Sequence, residues 1–353
     1  MNMPSEETGL RTDALASSKR TFSEVNAFLQ SGAPWPDQPP PERNETHASV
    51  VYLTHDRAWK LKKPVRLMHV DQVSLDARKR LCRKEVRLNR ALSGDIYRGI
   101  TPIVRRVDGA LALGGAGRIV DWLIESVRLP DSEMLDRRLL NGPAPDHAEI
   151  EALCTVLVGF FQRQPQLTEA GNDFYCSLLR DTEIATKHLR EMAADTDVKV
   201  PEYISDFAVA TLKTCRREII KRGRGGLIVE GHGDLRAEHV CLTTPPVVFD
   251  NLEIDQGNRA LDPFYEINAL GLECGLLGSA WIHATLLNGL SRSIAPPSRS
   301  LLTAYGIVAL LTRARFAADH FRDDHVTTPM EWRVKTKKSI AEAARLLSSV
   351  GEI

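Results

Sequence analysis

No charge of either sign is in excess in this 353-residue sequence: Lys and Arg together number 46, and so do Asp and Glu. A chain without net charge has no long-range field to gather nucleic acid or an anionic membrane, so neither is expected as a partner. Paired cysteine motifs are also missing. The six cysteines, Cys82, Cys154, Cys176, Cys215, Cys241 and Cys274, are scattered with no C-x-x-C, which reads as free thiols in a reducing, cytoplasmic setting. No apolar run reaches the roughly 20 residues of a spanning helix. The nearest, CGLLGSAWIHATLLNGL at 274–290, carries Gly, Ser, Thr, His and Asn between Glu273 and Arg292, and reads as a buried helix pair. The N-terminal MNMPSEETGLRTDALASSKR has early acidic residues and no apolar signal core, so a loose tail is expected over 1–20. There is no G-x-x-x-x-G-K-[ST] phosphate loop and no internal repeat.

What is present divides into two characters. Short apolar runs at 50–53 and 57–61, separated by Thr-His-Asp, predict a hairpin. Further strands are expected at 100–106, 110–113 and 119–124, with Asp108-Gly109 as a turn and a helix over 75–93 between them. After Pro130 long helical patterns take over, at 131–140, 148–163, 173–192 and 203–222 and again from Pro263 onward. Only 226–254 breaks them with short β-like runs. The expected division is therefore an N-terminal lobe over 21–124 and a helical lobe over 125–353.

Several polar residues sit where bland chemistry is hard to sustain. On the first helix Leu81, Leu88 and Leu92 mark an apolar face, and Glu85 falls within it. Either it pairs locally with Arg78 or Lys84, or a cation reaches it from the neighbouring sheet. In RAWKLKKPV, Lys60 and Lys62 point the same way on a strand, opposite to Trp59 and Leu61. Downstream, VEGHGDLRAEHVCL packs His232, Asp234, Arg236, Glu238 and His239 into one stretch, and PPVVFD is an apolar strand ending in Asp250. Two aspartates at strand ends can hold a divalent cation and orient a hydroxyl, although each residue alone is common in solvated turns. The other histidines, His55, His69, His147, His188, His283, His320 and His325, lack a paired ligand and read as structural or solvated. The basic stretch KTCRREIIKRGRGG reads as a solvated helix end.

Taken together, A-x-K ending at Lys60, a helical Glu85, H-G-D-L from His232 to Leu235 and V-F-D ending at Asp250 resemble the aminoglycoside phosphotransferase family of kinase-like enzymes. More narrowly, ETHASVVYLTHDRAWKLKKPV and HGDLRAEHVCL resemble an uncharacterised bacterial subgroup with an H-G-D-L-R-x-E-H motif, some members of which carry an added P-loop domain. The resemblance runs from about Glu45 to the C-terminal helices. It implies an α+β, two-lobed protein-kinase-like fold, with a small β-rich N-terminal nucleotide-binding lobe and a larger helical lobe holding the catalytic loop and acceptor site.

The resemblance also implies roles. Lys60, held by Glu85, would contact the α- and β-phosphates of ATP, with Lys62 as the second choice. Asp234 would orient the attacking hydroxyl and accept its proton, and Asp250 would ligate Mg2+ or Mn2+. Backbone groups of Trp122, Leu123 and Ile124 would read the adenine. His239 stands where the family motif has a metal-binding Asn, and no glycine lies between Glu45 and Lys60, so the Thr46 and Ser49 hydroxyls would replace the usual phosphate-covering turn. The expected activity is ATP-dependent phosphorylation of a small-molecule hydroxyl. A pseudokinase acting through a partner is the alternative, and a metal phosphohydrolase using His232, His239 and Asp250 is a third reading. Asp131, Glu133, Asp262, Glu266 and Glu273 either line an acidic cleft for a cationic acceptor or serve as helix caps and solvated faces.

Overall fold

The computed structural model describes residues 5–67, 70–253, 259–322 and 329–348. Two compact units form: residues 1–130 with 249–254, and residues 131–248 with 255–353. The first boundary falls after Pro130 rather than at 124, because the last strand of the first unit continues to Val127.

The first unit begins with helix α1 (Ser5–Gln30) where a loose tail over 1–20 was expected. Phe22, Val25 and Leu29 lie at helical spacing, and the latter two are fully buried against the sheet. Strands β1 (Glu42–Glu45), β2 (Ser49–Leu53), β3 (Arg57–Lys62), β4 (Arg66–Leu67) and β5 (Val70–Asp71) follow. Helix α2 (Leu75–Ser93) comes next, then β6 (Tyr97–Arg105), β7 (Leu111–Leu113) and β8 (Arg118–Val127). The main sheet has the order β1-β2-β3-β8-β6-β7, with antiparallel pairing throughout.

Strand alternation sorts its two faces. Val50, Tyr52, Leu61 and Leu123 turn toward α1, whereas Trp122 and Ile124 pack with Cys82 and Val86 of α2. Helix α2 starts at an Ser74 cap whose side chain accepts from the Ala77 amide at 3.1 Å. Its buried face is rotated from the leucine stripe: Arg78, Cys82, Glu85, Val86 and Asn89 are buried, and Leu81 and Leu88 are only partly so. Half of that face is polar because the sheet and the 249–254 segment supply partners. Arg78 takes the Asp121 carboxylate through Nε at 2.8 Å and Nη2 at 3.0 Å, and donates to the carbonyls of Gln72 and Val73. It is therefore unavailable to Glu85.

The second unit contains α3 (Leu135–Asn141), α4 (His147–Arg163), α5 (Gly171–Glu191), α6 (Ala193–Thr196) and α7 (Glu202–Arg224). Two-residue strands β9 (Val229–Glu230), β10 (Val240–Cys241), β11 (Val247–Val248) and β12 (Ala260–Leu261) precede α8 (Pro263–Leu276), α9 (Trp281–Ser291), α10 (Arg299–Asp319) and α11 (Pro329–Ser348). β9 pairs with β12 and β10 with β11. The 274–290 run forms the end of α8 and most of α9, which pack together. By length and composition α10 is apolar enough to cross a membrane. In this unit Tyr305 and Val308 face one core cluster with α5 and α7, and Ile307, Leu310 and Ala314 face a second with α11. A helix packed on several sides is apolar all round. The basic end of α7 is not wholly solvated either: Arg222 is buried and grips Asp262 with Nε and Nη2.

The Arg78–Asp121 pair is the clearest structural dependence in the first unit. Arg78→Met strands a buried carboxylate and is expected to cost about 3–5 kcal/mol, measured as a lower urea midpoint at unchanged slope. Adding Asp121→Leu should restore most of that loss. If single and double variants unfold alike, the pair is not the source.

Candidate functional site

In the first unit, β3 directs Lys60 and Lys62 toward α2, and Glu85 meets both. Lys60 Nζ lies 2.9 Å from Glu85 Oε1, and Lys62 Nζ lies 2.6 Å from Oε2. The sequence reading expected one lysine here; the carboxylate has two oxygens and binds both. Lys60 Nζ also lies 2.5 Å from Asp250 Oδ1, and Lys62 pairs with Glu253. Glu253 was not anticipated, although its position three residues after Asp250 is visible in the sequence.

Burial is graded across the cluster: the Glu85 and Lys62 side chains are 0% and 2% exposed, Lys60 20% and Asp250 39%. Burial works against the charge on Lys60, but Asp250, Glu85 and Glu253 outweigh it and hold the ammonium well above the usual lysine value. Lys62 is raised by the same balance. Burial likewise opposes ionisation of Glu253, and the two lysines overcome it and lower its pKa. Two ammonium groups thus face three carboxylates, a net charge of −1 whose most exposed member is Asp250.

Helix α2 also fixes the backbone around Asp250. Asn89 donates through Nδ2 to the Glu85 carbonyl at 3.0 Å and accepts from the Asn251 amide at 2.9 Å. The Asp250 amide donates to the Tyr97 hydroxyl at 3.3 Å, and Phe249 packs with Cys82, Val86 and Trp122. Held at both ends, Asp250 adopts φ 62°, a left-handed conformation that Asp tolerates better than most residues. Asn251 Oδ1 is buried with no hydrogen-bond partner among the described residues.

Two sets of residues expected to contact nucleotide have other partners in the fold. Leu123 and Ile124 pair with β3 on one edge of β8 and with β6 on the other, while the Trp122 amide donates to Asp121 at 2.9 Å. The backbone of Leu123 and Ile124 is thus engaged on both edges of the strand, and the Trp122 amide is held by its neighbour's side chain. Pairing with β6 ends at Ser126, so that edge of β8 carries no strand from Val127 onward. Ser49 is 4% exposed, and its hydroxyl lies 3.2 Å from that of Thr46. Thr46 Oγ1 in turn accepts from the amides of Ala48 and Ser49. Without a glycine the β1–β2 turn uses these hydroxyls in its own hydrogen bonds.

In the second unit, the stretch from Gly231 to His239 is held from α8 and α10. Glu266, in the first turn of α8, accepts from the amides of His232, at 2.9 Å, and Gly233. Gly233 has φ 86°, the left-handed bend that the H-G-D order requires. Burial raises the Glu266 pKa to about 7 against the pull of those amides. Glu273 accepts from the Ala237 amide at 3.0 Å, and Arg313 binds both Glu273 and the Leu235 carbonyl. Within the loop His239 Nδ1 lies 2.8 Å from the Asp234 carbonyl, and the His232 and His239 rings are stacked. As a donor to that carbonyl, neutral Nδ1 leaves the lone pair on Nε2, the nitrogen suited to a metal. Asp234 Oδ2 lies 3.1 Å from Arg236 Nε, and Arg236 Nη1 lies 2.6 Å from Glu238.

The carboxylates considered for an acidic cleft all have partners: Asp131 with Arg137, Glu133 with Arg138, Asp262 with Arg222, Glu266 with two amides and Glu273 with Arg313. Among the described residues no group of three His, Cys, Asp or Glu side chains could hold a metal. His283 bonds Asn268, and His147 and His320 contact Trp281 and Trp332. His69 and His325 lie outside the described residues.

No family model matches the chain. It is 27% identical over 254 residues to the uncharacterized proteins Mb2027c of Mycobacterium bovis and Rv2004c of Mycobacterium tuberculosis, an alignment covering 69% of this chain and 48% of each relative. The chain spans about half the length of the curated relatives it matches. Among solved structures, the GDP and kanamycin complex of APH(2")-IIIa superposes with a TM-score of 0.53 at 14% identity, covering 91% of this chain and 99% of that one. The GDP complex of wild-type aminoglycoside 2'-phosphotransferase-IIIa gives 0.51 at 14% identity, covering 91% and 98%. At such identity the likeness establishes architecture: an antiparallel sheet followed by a helical region, in an α+β kinase-like fold.

Proposed function

We propose that the chain is a phosphotransferase that moves the terminal phosphoryl group of ATP, or another nucleoside triphosphate, to a hydroxyl of a small molecule. The observation that carries this reading is the cluster in which Glu85, fully buried, holds Lys60 beside a more exposed Asp250. A structural ion pair has no need of that gradient. A phosphate-binding lysine and a metal-binding carboxylate do, because their outer ends must reach a ligand while their inner ends stay fixed.

The residues fit a nucleotide with its metal. The cluster carries one net negative charge, Asp250 is its exposed oxygen donor, and the neighbouring Asn251 Oδ1 is buried without a partner among the described residues. Asp250 would hold the cation, and the expected part of His239 as a second donor is tested below. A divalent cation bound there neutralises charge on the phosphate oxygens. Lys60 would bind the α- and β-phosphates, and Glu85 keeps its ammonium charged and aimed. Asp234 orients the acceptor hydroxyl and takes its proton as the oxygen bonds to phosphorus. The bond to the leaving nucleoside diphosphate breaks, and a phosphate ester results.

The direct Lys60–Asp250 contact at 2.5 Å favours the competing pseudokinase reading, since it engages both ligand-binding groups with each other. Asp234→Asn separates the two. It is expected to lower kcat by about 100-fold or more with nucleotide affinity unchanged; full transfer activity in this variant would exclude the proposed mechanism.

The lysines should also separate. Lys60→Ala is expected to weaken nucleotide binding by about tenfold or more, whereas Lys62→Met, at a sealed position, should lose about 3 kcal/mol of folding stability. Equal effects on nucleotide affinity would give both lysines the same role.

His239→Asn replaces a borderline nitrogen donor with a hard oxygen and is expected to lower the ratio of Mn2+- to Mg2+-supported activity. An unchanged ratio would limit His239 to its hydrogen bond with the Asp234 carbonyl.

A further inference from the structure

Within the second unit, α3, the loop after Asp234, α8, α10 and α11 enclose a cavity of about 820 Å3. That is the size of a drug-sized ligand site. Leu272, Leu276 and Leu310 line it, and so do Leu140, Phe316, Met330 and Val334. The latter four are 44–63% exposed and account for four of the seven exposed large hydrophobic side chains among the described residues. Solvated apolar groups gathered around one concavity mark a ligand surface, whereas scattered ones do not. The cavity reaches the catalytic loop, because Arg236 and Glu238 line it and Arg236 lies 3.1 Å from Asp234.

Charge defines what fits. The lining carries four carboxylates, Asp136, Glu238, Glu273 and Glu331, and four cations, Arg236, Arg313, Lys335 and Lys338. The two carboxylates nearest the loop are neutralised by Arg236 and Arg313 at 2.6 and 3.0 Å. Lys335 sits over the Trp332 ring, 4.2 Å from its centre. A polycation would meet a wall of equal opposite charges whose carboxylates nearest the loop already hold arginines, and would forfeit its hydration for little return. An uncharged apolar body gains from every exposed hydrophobic it covers.

We infer that this cavity takes an uncharged, amphiphilic alcohol with a hydrocarbon body, and that this class, rather than a polycationic amino sugar, supplies the acceptor hydroxyl at Asp234. The second half of the inference rests on the phosphotransferase reading. The transfer itself is unchanged: the alcohol oxygen bonds to phosphorus, Asp234 takes its proton, and the nucleoside diphosphate leaves.

The test begins with calorimetric binding of 1,2-decanediol, an uncharged androstanediol and kanamycin to the full chain without nucleotide. The diols are expected to bind and kanamycin not to. Phe316→Lys and Val334→Lys, at half-exposed positions that tolerate a charge in the free protein, should each weaken diol binding by about tenfold, and Tyr203→Lys, exposed elsewhere, should not. Tighter binding of kanamycin than of either diol, or unchanged diol affinity in both cavity variants, overturns the inference. Phosphate-ester formation from ATP is then followed with the same compounds. Diol binding with no ester formed from any of the three compounds and no ATP consumed keeps the cavity's ligand class and counts against the phosphotransferase reading. Phosphorylation of kanamycin with the diols inert keeps that reading and removes this inference.

Discussion

Glu85 is a carboxylate with no exposed surface, and an ion in that position is tolerable only if its partners are as fixed as it is. Two lysines from one strand meet its two oxygens, and each is bound to a further carboxylate from the 249–254 segment. The consequence is geometric as much as energetic. Strand β3, helix α2 and a segment far away in sequence are located by one set of charges, and the outermost members of that set face solvent. A rigid inner shell with an accessible outer edge is the condition under which a lysine and an aspartate can present fixed charge to a ligand.

The backbone around Asp250 obeys the same constraint. Asn89 bridges the Glu85 carbonyl and the Asn251 amide, so the helix that buries Glu85 also fixes the residue following Asp250. Tyr97 secures the Asp250 amide itself. The left-handed conformation of Asp250 is thus over-determined by its surroundings.

In the second unit acidic side chains are used mainly inward. Glu266 holds two successive amides of the H-G-D turn, Glu273 holds the Ala237 amide, and Asp262 caps α8 while gripping Arg222. These carboxylates organise the loop that carries Asp234 and in doing so give up their attraction for an external cation. Glu273 alone of the three also lines the neighbouring cavity, where Arg313 neutralises it.

The periodicity of the sequence determined the hairpin of β2 and β3, the bounds of α2 and the long helices of the second unit, because strand and helix periods are local properties. The grouping of Lys60, Glu85, Asp234 and Asp250 rested instead on a family resemblance, and folding gathers Lys60, Glu85 and Asp250 with Lys62 and Glu253. Three matters were decided only by tertiary structure. Whether Trp122, Leu123 and Ile124 offer free backbone depends on which strands flank β8, and pairing order is not written in a single segment. The face that α2 buries depends on partners such as Asp121, which lies 43 residues from Arg78 in sequence. The fate of Glu266 and Glu273 depends on amides and an arginine brought to them by folding. A carboxylate announces its charge in the sequence, but its availability is set by what the fold places within hydrogen-bond reach, and that is a long-range property of the chain.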